Sequence, residues 1–472
     1  MNKIKNIHFL GIKGVGMTPL AIIAKEAGFK VSGCDLDEEF ITDAPLERAG
    51  IKSLVGFSEE HLLACDLLIT TGAHGGFENI EVIKAKQLGI PVWTQGQAVG
   101  KFMDGELLKD VFEGISVAGS HGKTTTSAMI ATILKENKQD PTFLIGTGDI
   151  PSLGSSGHFG KGKYFVAEAD EYATEPKYDK TPKFLWQHPQ IGVITNIEFD
   201  HPDLYSSMEQ LREAFLNFAK NIKSSGVLVA GIDDPETVKM IKQYTGKVIT
   251  YGFSESADFN LQKVSIAPEK TFFWVRAKDT LLGEFSLNIA GEYNALNALA
   301  AIVVCLELGL SVENIKRDLL VFKGTKRRSE FVGKTASGAL IYDDYAHHPT
   351  EIKNTLGAFR KIYPNKKIVC IFQPHTYSRT KSLFEQFKSS FNFANELILT
   401  DIFPSLREVA DNTVSSELLA SSVAKIQKDV LYIARLEDVI KYLEQKNFND
   451  NYIIITMGAG DVYKIGKELI NE

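Results

Sequence analysis

Three clusters of residues in this 472-residue chain have types and spacing suited to chemistry. The first is Gly119-Ser120-His121-Gly122-Lys123-Thr124-Thr125, set between a strand-like run, ISVA, and an amphipathic run, SAMIATILKE. Glycines let backbone N–H groups close around phosphate oxygens, and a helix N-terminus adds a favourable dipole. In such a loop Lys123 would neutralise the β- and γ-phosphates of a nucleotide, and the Thr124 hydroxyl would ligate Mg²⁺. The strict GxxxxGK[ST] pattern fails, because Val117 stands where its first glycine belongs. The assignment therefore rests on GKT in its strand–helix context, and the alternative is a glycine turn with a solvated lysine.

The second cluster is acidic. FVAEADE puts Glu168, Asp170 and Glu171 at the end of one apolar run, and ITNIEFDHPD puts Glu198, Asp200 and His201 at the end of another. In open α/β sheets, ligands collect at the C-terminal ends of strands. Mg²⁺ takes oxygen ligands and bridges nucleotide phosphates, so a carboxylate beside a phosphate loop is chemically expected. The histidine could hold a second ion or orient a substrate. Alone, each acidic run reads as a polar loop; two of them behind a phosphate loop read as a site. The third cluster, Gly11-Ile12-Lys13-Gly14-Val15-Gly16, has GxxGxG spacing rather than the dinucleotide GxGxxG. It still offers a pyrophosphate cradle at a helix N-terminus, with Asp35 ending the next strand where it could accept from a ribose or base. Taken alone it suggests either a nicotinamide-dinucleotide domain or a tight turn without a ligand.

These loops need strands and helices to hold them. The first segment alternates strand-like KNIHFLGI, KVSGCD, DLLIT and IPVWT with helical stretches, the pattern of a small parallel α/β sheet. FMDGELLKD, near residue 105, reads as its boundary. In the second, ISVA, YFVAEAD, IGVITNI and GVLVAG are strands, residues 259–290 alternate as antiparallel strands do, and GEYNALNALAAIVVCLELG is a long buried helix. The third starts near GTKRRSE, with strands at ALIYDDYA, KIVCIFQP, ELILTDI, VLYIA and YIIITMG. The expectation is three α/β units in series, over 1–107, 108–322 and 323–472.

Composition agrees with a soluble globular chain: 44% hydrophobic, 24% charged. No apolar run approaches the roughly 18 residues a membrane helix needs, and IHFLGI is too short for a secretory signal. The four cysteines lack CxxC or zinc spacing and read as reduced thiols of a cytoplasmic protein. A net charge of −7 argues against broad nucleic-acid binding.

Taken in order, HFLGIKGVGM, GSHGKTTT, EADE, TNIEFDH, GEYNALNALAA, KRR, DDYAHHPTE, FQPHTYSRT and TMGAGD resemble the Mur ligases along essentially the whole chain. The resemblance implies a Rossmann-like UDP-binding domain, a central P-loop ATPase domain and a C-terminal Rossmann-like domain that closes over them. It implies a cytoplasmic, ATP- and Mg²⁺-dependent ligase of peptidoglycan synthesis, monomeric or homodimeric, with no nucleic-acid or membrane partner. The reaction would join L-alanine to the carboxylate of UDP-N-acetylmuramate through an acyl phosphate. By position, Lys123, Glu168, His201 and Arg328 match the catalytic set, and Thr124, Glu168 and His201 the metal site. Asn294 and Asn297 match the adenine-side asparagines, Arg328 the arginine that reaches the phosphates, and Asp343 the ribose acid. Gly11, Gly14, Gly16 and Asp35 would bind the UDP-sugar, and His347, His348 and Arg379 would line the acceptor pocket. Without the resemblance, helix-to-loop hydrogen bonding accounts for both asparagines and a surface charge for Arg328.

Four departures bear on the amine donor. Leu216 stands where several Mur ligases carry a carbamoylated lysine, which the alanine- and tripeptide-adding branches lack. Thr376 replaces one of two arginines thought to hold the substrate carboxylate. Tyr172 follows the acidic motif where serine is usual, and EADEYATEPKYDKTPKF is more like the tripeptide-adding branch. TTGAHGGFEN matches the family run only loosely. The alternatives are thus a tripeptide ligase acting on the same UDP-sugar, or a non-catalytic nucleotide-binding protein on this scaffold. An NAD-dependent oxidoreductase would leave the phosphate loop unexplained.

Overall fold

The computed structural model describes residues 4–108, 111–404, 410–446 and 448–470. The last two residues of FMDGELLKD, and the extreme C-terminus of the third expected unit, lie outside the described residues.

Among the described residues, three large sheets follow one another along the chain, and a two-stranded hairpin, Ala173–Glu175 with Asp179–Pro182, forms a fourth. The first is parallel, in the order Leu54–Val55, Lys30–Asp35, Asn6–Leu10, Leu67–Thr70, Val92–Thr94. Phe9, Leu67, Leu68 and Ile69 are fully buried, as expected of strands covered on both faces, and this is why the runs read as continuously apolar rather than alternating.

The central sheet has ten strands among the described residues. Its phosphate-loop strand, Glu113–Ala118, lies between Ile191–Ile194 and Tyr164–Glu168, parallel to both. That order brings both acidic runs to the same sheet end, one on each side of the phosphate loop. Phe259–Ala267, Lys270–Ala277 and Thr280–Leu287 extend the far edge, antiparallel to one another as their alternation predicts, with the first joined parallel to Val248–Gly252. The long helix is Glu292–Glu307, and its Ala295, Ala298, Ala300 and Ala301 are all fully buried. Small residues let it lie close against the phosphate-loop helix, Lys123–Glu136.

The third sheet runs Glu330–Lys334, Leu340–Asp344, Tyr452–Met457, Lys367–Phe372, Glu396–Leu399, Val430–Tyr432, with only the first strand antiparallel. That first strand, like Val248–Gly252 in the central sheet, has no counterpart among the runs read from sequence. Both are partly exposed and lack a long apolar core. No helix among the described residues is long and apolar enough to cross a membrane.

Candidate active site

The phosphate loop is built to exclude side chains. Gly119 and Gly122 have φ of +136° and +85°. A Cβ on Gly119 would meet Thr195 Oγ1 at 1.9 Å, and one on Gly122 would meet Asn297 Oδ1 at 2.4 Å. The strand end next door fixes the loop: Asn196 Oδ1 accepts from His121 N at 2.9 Å, and Ser120 Oγ donates to Glu198 O at 2.9 Å. Thr124 Oγ1 donates to Glu168 Oε2 at 3.1 Å, so the two oxygens expected to share a cation do stand together. Gly146 N holds the other Glu168 oxygen at 2.6 Å. Burial raises the Glu168 carboxyl above its usual range, against the pull of Gly146, Lys123 and Arg328.

Lys123 donates to Glu171 Oε2 at 2.8 Å and to the Gly119 carbonyl. Burial works against its charge, but Glu171 and Asp170 hold its pKa up. Glu171 then reaches His201, whose Nε2 lies 3.6 Å from Oε1. His201 sits at φ +54°, a backbone region a histidine rarely adopts, beneath the Tyr172 ring at 4.7 Å. Burial would lower its pKa, and Asp200 and Glu171 overcome that and raise it. Lys123, Thr124, Glu168 and His201 are thus brought to one place, with Glu171 as a link that sequence reading left unassigned although EADE contains it.

The third domain closes the site. Arg328 Nη1 lies 3.6 Å from Glu351 Oε1, and Glu351 also receives His121 Nδ1 at 3.1 Å. Burial opposes a charge on His121, but Glu351 and Glu198 raise its pKa to about 10. Two pairs of neighbouring residues divide here. Asp343 turns into the third domain's core, accepting from Arg327 Nε at 3.0 Å and from Thr456 Oγ1 at 2.7 Å. It is the next residue, Asp344, that lines the cavity beside Arg328, accepting from Ser329 N at 2.7 Å and Ala346 N at 2.8 Å. Burial lifts Asp344 to about 6, against Arg328. The histidine pair also divides. His348 caps the helix Pro349–Ile362 and packs on the His121 ring at 4.8 Å, whereas His347 faces His375 at 6.0 Å. Only His347 is on the side of Arg379, whose guanidinium is committed to Asp200 at 2.8 Å and 3.1 Å.

Between the central and third domains lies a cavity of about 580 Å³. Its walls include Thr124, Asn294, Asn297, Arg328 and Asp344. Asn294 is spent on a helix-start bond, Nδ2 to Ala290 O at 2.8 Å, while Asn297 abuts the phosphate loop. In the first domain, Gly11 has φ +75°. Asp35 is buried and accepts from Lys13 N at 2.8 Å, so its carboxylate holds the glycine loop's backbone. Gly14 and Gly16 pack on Met17 and Gln95.

Comparison with known proteins agrees along the whole chain. Three family descriptions match in series: "Mur ligase family, catalytic domain" over 6–106, "Mur ligase middle domain" over 117–305, and "Mur ligase, glutamate ligase domain" over 327–460. A UDP-N-acetylmuramate–L-alanine ligase of Desulfitobacterium hafniense is 40% identical over 98% of this chain and 99% of its own. The chain belongs to the Mur ligase family. Among solved structures, the UDP-N-acetylmuramate–alanine ligase of Thermotoga maritima superposes with a TM-score of 0.81 at 27% identity, covering 99% of this chain and 98% of its own. A murein peptide ligase of Psychrobacter arcticus gives 0.73 at 25% identity, covering 98% of each chain.

Two of the four departures from the Mur ligase pattern meet in space. TTGAHGGFEN packs directly on the hairpin that follows EADEY: a Cβ on Gly72 would fall 2.6 Å from Pro176 Cδ, and one on Gly76 would fall 2.0 Å from Glu175 Oε1. Lys177 and Tyr178 both bond Glu78. Two runs about 100 positions apart therefore form one contact surface. Leu216, by contrast, is buried in the core of the helix Met208–Lys220.

Proposed function

We propose that this Mur ligase joins L-alanine to the lactyl carboxylate of UDP-N-acetylmuramate in the cytoplasm, using ATP. The observation that carries the reading is the meeting of Lys123, Thr124, Glu168 and His201 under Arg328 and Asp344 from another domain. Neither domain has both halves, so closure assembles the site and keeps water from an activated acyl group.

The donor set suits Mg²⁺: two hard oxygens, Thr124 Oγ1 and Glu168 Oε2, lie 3.1 Å apart beside a loop with no room for a Cβ. When bound there, the ion would neutralise phosphate charge and orient the γ-phosphoryl group. Lys123 would exchange its Glu171 and carbonyl partners for phosphate oxygens. Arg328 would face the same charge from the opposite wall, and Asp344 would accept from the ribose. A carboxylate oxygen of the sugar then attacks the γ-phosphorus, the bond to the ADP oxygen breaks, and an acyl phosphate forms. The alanine amine attacks the acyl carbon and loses a proton, and phosphate leaves with the original carboxylate oxygen. No protein nucleophile is needed; positioning and charge carry the rate.

The path of that oxygen tests the mechanism. With ¹⁸O in the sugar carboxylate, one label per turnover is expected in the released phosphate. Phosphate free of label would overturn the acyl-phosphate route. A tripeptide donor is the second reading, favoured by Tyr172 and the hairpin after it.

A further inference from the structure

We infer that the first domain holds a zinc ion between His8, Cys34, His61 and Glu81. The sequence gives no hint of it, because the four residues come from separate elements: the strands Asn6–Leu10 and Lys30–Asp35, the short turn Glu59–Leu62 and the helix Ile80–Gln87. Folding brings one ligand atom of each within 4.8 Å of all the others. Glu81 is central: Oε1 lies 2.8 Å from His61 Nδ1 and 3.2 Å from Cys34 Sγ, and Oε2 lies 3.1 Å from His8 Nε2. Ligands of a tetrahedral zinc ion stand about 3.3–3.8 Å apart, so an ion would enter with shifts of up to about 1 Å.

The chemistry fits a closed structural site. One soft thiolate, two borderline imidazoles and one hard carboxylate are donors of the kind zinc takes four at a time. Two neutral histidines, the Cys34 thiolate and the Glu81 carboxylate bring a charge of −2 to a divalent cation, so the loaded site is neutral, as a buried one should be. Binding breaks the Cys34 S–H bond, and the proton leaves to solvent. His8 is oriented from behind: its Nδ1 lies 2.8 Å from Ser32 Oγ, which presents Nε2 as the ligand. His8 Nε2 is fully buried and, despite its closeness to Glu81, has no hydrogen-bond geometry with any partner. Cys34, Glu81 and His8 are sealed from solvent, and His61, at 16% side-chain exposure, is the way in. The site is separate from the phosphate loop and ties together four elements of the sheet that carries the glycine loop, whose Gly11 N bonds the Cys34 carbonyl at 2.9 Å.

The test is a cobalt titration of the chelator-stripped full chain, with Mg²⁺ in excess to occupy the phosphate-loop site. One equivalent of Co²⁺ is expected to give a thiolate-to-cobalt charge-transfer band and the strong visible bands of tetrahedral cobalt, and both should vanish on adding one equivalent of Zn²⁺. Cys34→Ala should lose the charge-transfer band, whereas Cys65→Ser should keep it. A parent chain without that band, or a band that survives Cys34→Ala, overturns the proposal and leaves Glu81 as a hydrogen-bond hub only. Should Cys34→Ala fail to fold, the parent titration decides, and His61→Asn, altered at the exposed edge, should weaken Co²⁺ binding at least 10-fold. Undiminished binding in a folded His61→Asn chain overturns the tetrad.

Discussion

Arg379 of the third domain grips Asp200 of the central domain side-on, Nε to Oδ1 at 2.8 Å and Nη2 to Oδ2 at 3.1 Å, with both side chains buried. Burial alone would raise the Asp200 carboxyl, but Arg379 and His201 hold it well below the usual range. Asp200 immediately precedes His201, so domain closure is reported directly to the histidine beside Lys123 and Glu171. Removing one partner of a buried ion pair costs about 3–5 kcal/mol, but here opening the domains returns the other partner to water. Asp200→Asn is therefore expected to shift the closed population and lower kcat by ~100-fold, with little loss in Tm. Small-angle scattering with nucleotide bound checks the closure; a closed variant with normal kcat would contradict the link.

Lys123 has no substitute in the loop. Lys123→Ala is expected to reduce ADP release by ~10³-fold or more while the chain stays folded, because the residue sits at a helix start rather than in the core. ADP release together with the far-ultraviolet dichroism melt separates the two effects. Near-normal turnover would remove the phosphate-loop assignment.

Asp343 and Asp344 are expected to separate cleanly. Asp344→Asn should raise KM for ATP roughly 10-fold with modest change in Tm, about the worth of one charge-assisted hydrogen bond. Asp343→Asn should instead lower stability by about 3 kcal/mol, since it strands the buried Arg327. Steady-state kinetics and denaturant melts on both variants check this. A KM effect confined to Asp343→Asn would return the ribose role to that residue.

What was legible in the sequence was local. Strand, GKT and helix follow one another without interruption, so the phosphate loop can be read directly. Asp343 and Asp344 could not be told apart in sequence, because side chains alternate along a strand and two adjacent aspartates give no sign of which one faces the core. Glu171 and Glu351 act through partners far away in the chain, and the His8–Cys34–His61–Glu81 group has no spacing to betray it. The strands Val248–Gly252 and Glu330–Lys334 lacked the apolar runs that mark buried strands.

The pair between His121 and Glu351 makes closure depend on pH. Binding to Glu351 and Glu198 raises the His121 pKa from about 6.5 in the unfolded chain to about 10. The group therefore binds its proton more tightly in the closed form: Glu198, on the same domain, stays beside His121 when the domains part, and the Glu351 share of the stabilisation is present at low pH and lost as pH rises towards 10. Scattering or a fluorescence distance between the central and third domains should show opening across that window. His121→Asn should flatten the dependence; an unchanged pH profile in that variant would assign the opening to other groups.

The donor is decided by ADP release from purified protein with ATP, Mg²⁺ and UDP-N-acetylmuramate, comparing no amine, a panel of amino acids and the L-alanyl-γ-D-glutamyl-diaminopimelate tripeptide at matched concentrations. If the chain is the alanine-adding ligase, L-alanine gives the fastest release, and the mass of the UDP-linked product rises by one alanine residue. Faster release with the tripeptide than with L-alanine, or no release with any amine, would contradict it.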